Sequence, residues 1–143
     1  MAITQLSAFL ENKPGQLAAA VKALSDGGVN IRAMSIADTK EFGILRLIVS
    51  DAVKGKALLA EKSIVTDTQV IAVPMDDVAG ALSTVLQVLD GVRINVEYMY
   101  AFTGAQAASA YVVLRVEDVP HAEDALKAAG VATLTDGELA KLL

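Results

Sequence analysis

The chain contains no cysteine and no tryptophan, and its aromatic residues make up only 4% of the sequence. Without cysteine there is no disulfide framework and no thiolate metal site. One histidine, His121, is present. With a single imidazole and no cysteine, neither a catalytic triad nor a metal set is expected. It sits in Asp118-Val119-Pro120-His121-Ala122-Glu123-Asp124, which reads as a charged helix start with His121 on its solvated surface. Positive charge is also scarce: 12 Lys and Arg stand against 17 Asp and Glu, a net charge of −5. Phosphate binding needs a basic patch, so nucleic acid is excluded as an expected partner. The longest uncharged stretch, Tyr98 to Leu114, carries Thr, Gly, Gln and Ser, and is too short and polar to span a bilayer. Residues 1–5 show no basic start leading into an apolar run, so no signal peptide is expected and the cytoplasm is the expected location. No cofactor, no metal and no membrane partner are expected.

What is present is a 54% hydrophobic composition dominated by small aliphatic side chains, which indicates a compact core rather than disorder. At 143 residues the chain could be one domain. It is organised instead as a repeat. Gly15 and Gly80, Leu17 and Leu82, Leu24 and Leu89, Asn30 and Asn95, and Met34 and Met99 are each separated by 65 residues. A period this long marks two copies of one small module. Half-size modules bury only about 60% of their unfolded surface, against about 68–70% for the whole length, so they gain by packing on each other or on a second chain. The expected division is 1–66 and 67–143, without a Gly/Ser or Pro-rich linker.

In the first copy Ile3 to Leu10 reads as a buried strand. Pro14 is placed at a first helical position. Leu17, Ala20, Val21 and Leu24 then form one apolar helical stripe, ended by Gly27-Gly28. Val29 to Ala37 and Ile44 to Val49 read as strands around a polar connection, Asp38 to Phe42. Asp51 caps a second helix with Ala57 and Leu58 on its inner side, and Ser63 to Val65 closes the module as a short strand. The second copy repeats the order. It has a strand at Gln69 to Val73, a stripe of Leu82, Val85, Leu86 and Leu89, and strands at Arg93 to Phe102 and Ala110 to Val116. A helix capped by Asp118 and a fourth strand at Val131 to Leu134 follow. Its hairpin is about two residues longer, and a tail from Gly137 adds one helical turn. Interleaved βαβ crossovers give an α+β, ferredoxin-like βαββαβ sandwich, duplicated in tandem, with antiparallel sheets expected side by side.

The turn Lys13-Pro14-Gly15 carries the most chemistry. It offers unpaired backbone amides and the positive end of a helix dipole, and Gly15 has no side chain to block a small anion. Asn12 precedes the turn and Asn30 follows the return of the chain. A carboxamide both donates and accepts, so it can serve the ammonium and the carboxylate of a free α-amino acid. Pro-Gly at a helix start is equally ordinary punctuation, and Asn30 can simply bridge backbone groups. In the second copy Asp77, Val78 and Ala79 stand for Asn, Lys and Pro. Asp77 would favour an ammonium over a carboxylate, or serve as a helix cap. Asp76-Asp77 and Glu123-Asp124 are adjacent in sequence and do not face each other as an acid–base pair would. Tyr98 and Tyr100 share one strand face and read as core or pocket wall. Arg46 and Arg115 occupy similar places in the two third strands, as surface or interface residues.

Leu10 to Leu17, with Gly28-Val29-Asn30-Ile31 downstream, resembles the ACT domain, in particular the regulatory kind found in phosphoglycerate dehydrogenase. Glu97 to Phe102 is similar to stand-alone proteins made of two ACT domains, and the likeness covers nearly the whole chain. The resemblance implies a non-catalytic regulator that binds a free amino acid where two modules meet. Asn12, Pro14, Gly15, Gln16, Leu17, Asn30 and Ile31 would contribute from the first copy, and Asp77, Gly80 and Asn95 from the second. A homodimer and a regulated enzyme partner are expected with it. The competing reading is a protein–protein assembly module with a vestigial ligand site. A small enzyme is the third, and no nucleophile with a base supports it.

Overall fold

The computed structural model describes residues 2–38, 41–103 and 109–142. It divides into two compact units, one formed by Thr4–Thr68 and the other by Met1–Ile3 with Gln69–Leu143.

The first unit contains β1 (Ile3–Glu11) from Thr4 onward, α1 (Gln16–Asp26), β2 (Ile31–Asp38), β3 (Phe42–Val49) and α2 (Ala52–Ala60). The beginning of β4 (Ile64–Asp76) completes it. β3 lies between β2 and β1 and is antiparallel to both, with Leu6 opposite Leu47 and Ile36 opposite Leu45. β1 and β2 therefore run the same way with a third strand between them, the interleaving expected of the fold. Alternation sends Leu6, Ala8 and Leu10 of β1 and Leu45 and Leu47 of β3 to one face, where Ala20 and Leu24 of α1 and Leu59 of α2 cover them. Leu24 is fully buried, which stabilises by about 1.5–3 kcal/mol relative to exposure. On the opposite face a Gln5 amide donates to the Ser7 hydroxyl at 3.1 Å, and Ser7 lies 3.2 Å from the Thr68 hydroxyl. That chain satisfies two buried polar residues.

The second unit takes the rest of β4, then α3 (Ala81–Gly91), β5 (Val96–Thr103), β6 (Ser109–Val116), α4 (Val119–Ala128) and α5 (Asp136–Leu142). β6 is antiparallel to both β4 and β5. Its core repeats the first: Ile71, Val73, Val112, Leu114 and Val116 from the sheet meet Val85 and Leu89 of α3 and Ala122 and Leu126 of α4.

The architecture is the α+β, antiparallel βαββαβ plan written twice, with several local departures. Two short strands expected at 63–65 and 69–73 are one 13-residue strand, β4, because no Gly or Pro falls between Ile64 and Val73 to stop it. Val131 to Leu134 is not a strand. The Leu134 amide makes a single 2.9 Å bond to the Ala72 carbonyl before Thr135 starts a helix. In α2 the buried residues are Gly55 and Leu59, while Ala57 is exposed and Leu58 half-buried. The helix comes so close to the sheet that a β-carbon at Gly55 would sit 3.2 Å from both Leu6 and Val49. Asp51 and Asp118 cap their helices as expected, each accepting at 3.1 Å, from the Lys54 and His121 amides. The expected connection at 38–42 and its longer counterpart in the second copy fall partly outside the described residues.

Candidate functional site

The two turns opening α1 and α3 have the same backbone. Gly15 is the cap of α1 with φ 88° and ψ −15°, and Gly80 is the cap of α3 with φ 91° and ψ −15°. Their hydrogen bonds repeat as well. The Lys13 amide donates to Glu11 at 3.0 Å and the Val78 amide to Asp76 at 2.9 Å. Gln16 donates to Lys13, and Ala81 to Val78, both at 3.3 Å. Left-handed backbone at the cap places Pro14 in the turn, before the helix, and not at its first position. It also leaves Asp77 outside the cap of α3, which has no side-chain cap at all.

Gln16 thus spends its amide inside the turn. Among the described residues the amides of Gly15, Leu17 and Ala18 have no protein acceptor, as expected for the start of a helix. A β-carbon built at Gly15 or Gly80 would meet nothing within 4 Å, so the approach to both turns is open. Asn12, Pro14 and Gly15 are exposed, as are Asp77 and Gly80. The Asn12 amide donates to the Glu41 carbonyl at 2.9 Å, and Lys13 pairs with Glu11 at 2.8 Å. These bonds hold the turn while leaving its outer side available to a small anion.

Asn30 lies elsewhere. α1 has 11 residues and spans about 16 Å, so the turn at Gly15 and the return at Asn30 occupy opposite ends of one helix. Asn30 and Ile31 line a shallow pocket of about 370 Å³ with Val21, Ser25, Gly28 and Val29. The Asn30 amide donates to the Ser50 hydroxyl and its carbonyl accepts from the Ser50 amide, both at 2.9 Å. Asn95 holds the corresponding place beyond α3. Within each unit the sequence-selected residues therefore form two separate positions.

Other placements are plainer. His121 is exposed. Arg115 donates to the Gln69 carbonyl at 2.8 Å and pairs with Glu97 at 3.4 Å, which makes it a structural strand residue. Tyr98 and Tyr100 are half-buried, and Met99 packs against the second core. Among the described residues no group of three or more His, Cys, Asp or Glu could hold a metal ion, and no helix is long and apolar enough to cross a membrane. Sequence reasoning missed a groove of about 490 Å³ in the first unit, where Gln16, Ala20 and Gly27 face Leu10, Leu58 and Leu59. The small residues Ala19, Ala20 and Ala23 along α1 were its readable signal.

Across residues 1–143 the chain matches the profile of the ACT domain pair, and it belongs to that family. It is 38% identical to BT0572 from Bacteroides thetaiotaomicron, whose crystal structure superposes with a TM-score of 0.92 over 99% of this chain and 98% of that one. The regulatory subunit of aspartate kinase from Thermus thermophilus shares the fold, with a TM-score of 0.66 at 16% identity over 89% of this chain and 90% of that one. The Thermus flavus subunit is similar, at 0.64 and 14% over the same shares. No curated protein sequence matches the chain.

Proposed function

We propose that this ACT domain pair is a non-catalytic regulator that binds a free amino acid, with the ligand carboxylate received at the turn opening α1. The observation that carries the reading is the open glycine cap at Gly15, with amides behind it that have no acceptor among the described residues and Asn12 on its rim. Helix-start amides and the helix dipole favour an anion, and the Asn12 carboxamide adds a group able to hold an ammonium or a carboxylate. Kinship with a family whose fold serves as a regulatory subunit in aspartate kinase supports the regulatory role. Gly80 offers the same backbone with Asp77 on its rim, which suits an ammonium and repels a carboxylate. The first turn is therefore the stronger site. Asn30, Ile31 and Asn95 belong to the separate positions at the far helix ends, and their contribution is measured apart. Regulation follows if the ligand binds two conformational or assembly states with different affinities. The cytoplasm suits a sensor of free amino acids.

Isothermal calorimetry against the twenty amino acids tests this. Binding that weakens in Asn12→Ala supports the reading; silence at millimolar ligand removes it. One observation favours assembly as a second role: among the described residues, the exposed large hydrophobics Phe9, Leu17, Met34, Ile36, Phe42, Val53 and Ile64 lie in the first unit, and Val78 and Val92 in the second.

A further inference from the structure

Leu17 of α1 and Ile36 of β2 are 37% and 49% exposed. Ile36 is opposite Leu45, a β3 residue that the helices cover, so it stands on the helix-bearing face of the first sheet. Leu10 shares that face and is opposite Gly43. Gly43 leaves room above β3: a β-carbon on it would lie 3.5 Å from the δ-methyl of Ile36, which therefore reaches over the strand next to Leu10. The Asn12 amide bonds to the Glu41 carbonyl and carries the β1–β3 ladder one step further. Alternation then gives Asn12, two residues after Leu10, the same face. Leu17 lies in the first turn of α1, and its own amide is one of those without an acceptor among the described residues. In the second copy Leu82 and Met99 pack against the core, Ala101 stands for Ile36 and Ala110 for Gly43. An exposed aliphatic wall of strand and helix residues thus flanks Asn12 and has no counterpart beside Asp77.

We propose that Leu17 and Ile36 receive the side chain of the ligand and make the first copy selective for branched aliphatic amino acids, the valine, leucine and isoleucine class. The inference rests on the reading of the Gly15 turn as the carboxylate site, and it names the ligand that site takes. A carboxylate on the Leu17 amide, with the ligand backbone held at Asn12, brings the ligand side chain against the two residues that flank them. Both partners there are aliphatic and partly exposed, so contact removes apolar surface from water on each side. A charged or amide side chain in the same place would lose hydration without gaining a hydrogen-bond partner. Leu17 and Ile36 are therefore specificity-determining residues, distinct from the polar grip of Asn12.

Calorimetric titration with leucine, alanine and aspartate separates the two contributions. Leucine should bind about tenfold or more tighter than alanine, and aspartate more weakly than alanine. Ile36→Ala and Leu17→Ala should each shrink the leucine-to-alanine ratio about threefold or more and leave alanine affinity within about twofold. Ile36→Val should keep most of the ratio. Asn12→Ala should weaken leucine and alanine alike. Equal affinity for leucine and alanine, tighter binding of aspartate, or a ratio untouched by Ile36→Ala would overturn the selectivity wall while the Asn12 reading stands. Silence from all twenty amino acids would remove both. Sedimentation of Ile36→Ala supplies the other check: self-association lost with leucine affinity unchanged would assign the wall to a second copy and overturn the proposal.

Discussion

The two copies keep their backbones and exchange their side chains. Gly15 and Gly80 differ by only 3° in φ, and the turn bonds around them differ by 0.1 Å or less. At the far ends of α1 and α3 the correspondence continues. Gly28 donates to Ser25 and Arg93 to Asp90 at 3.0 Å, while Val29 donates to Leu24 and Ile94 to Leu89 at 2.9 Å. Yet Gly28 has φ 75° with no β-carbon, and Arg93 adopts φ 58° with a full side chain. The rims differ too, Asn12-Lys13-Pro14 against Asp77-Val78-Ala79. Fold requirements reside in the glycine caps and helix stripes, which both copies retain. Under the proposed function, ligand chemistry falls to the rim residues, and only the first copy has the Asn12 rim suited to a carboxylate.

The largest effects should fall where the copies are equal. Leu24→Ala and Leu89→Ala remove matched, fully buried side chains and should each cost about 3 kcal/mol in urea denaturation. A difference above about 1.5 kcal/mol would break the equivalence of the two cores. Next, Gly55 in α2 and Ala122 in α4 hold the same buried helix position, four residues after their caps. Gly55→Val should cost about 2 kcal/mol by overpacking against Leu6 and Val49. Little or no loss would show that α2 can withdraw from the sheet. The smallest effects separate the helix ends. Gly28→Ala should destabilise by about 1 kcal/mol, since left-handed backbone costs an L-residue about 1–2 kcal/mol. Arg93→Gly should be neutral to stabilising by about 0.5 kcal/mol, strain relief being offset by chain entropy. The thermal midpoint should therefore fall in Gly28→Ala and hold or rise in Arg93→Gly.

Local chemistry was legible and long-range geometry was not. The helix stripes, apart from Leu17, which is exposed, and the caps Asp51 and Asp118 were readable because each depends on neighbours within one or two turns. The Gly15/Gly80 pair was readable because duplication printed it twice. Ala57 was misplaced because the face α2 presents is set by how closely it approaches the sheet, which Gly55 decides. The junction at 64–76 was read as two strands because repeat logic demands a boundary where the backbone has none. The tail was underestimated although its signal was present. Thr135 and Glu138 form a reciprocal capping box, with the Glu138 amide donating to the Thr135 hydroxyl at 3.1 Å, and they start a helix that buries Leu139. For the candidate site, the residues at each helix end could be chosen from sequence. Their separation follows from helix length, but which positions share a ligand depends on packing that spacing does not encode.

Calorimetric titration of the wild-type chain and Asn12→Ala with each of the twenty amino acids tests the central claim most directly. The account predicts saturable binding of at least one amino acid to the wild type. It also predicts about tenfold or greater weakening in Asn12→Ala, as expected for a hydrogen bond to a charged group. No heat from any amino acid at millimolar concentration, or binding indifferent to Asn12, would contradict it.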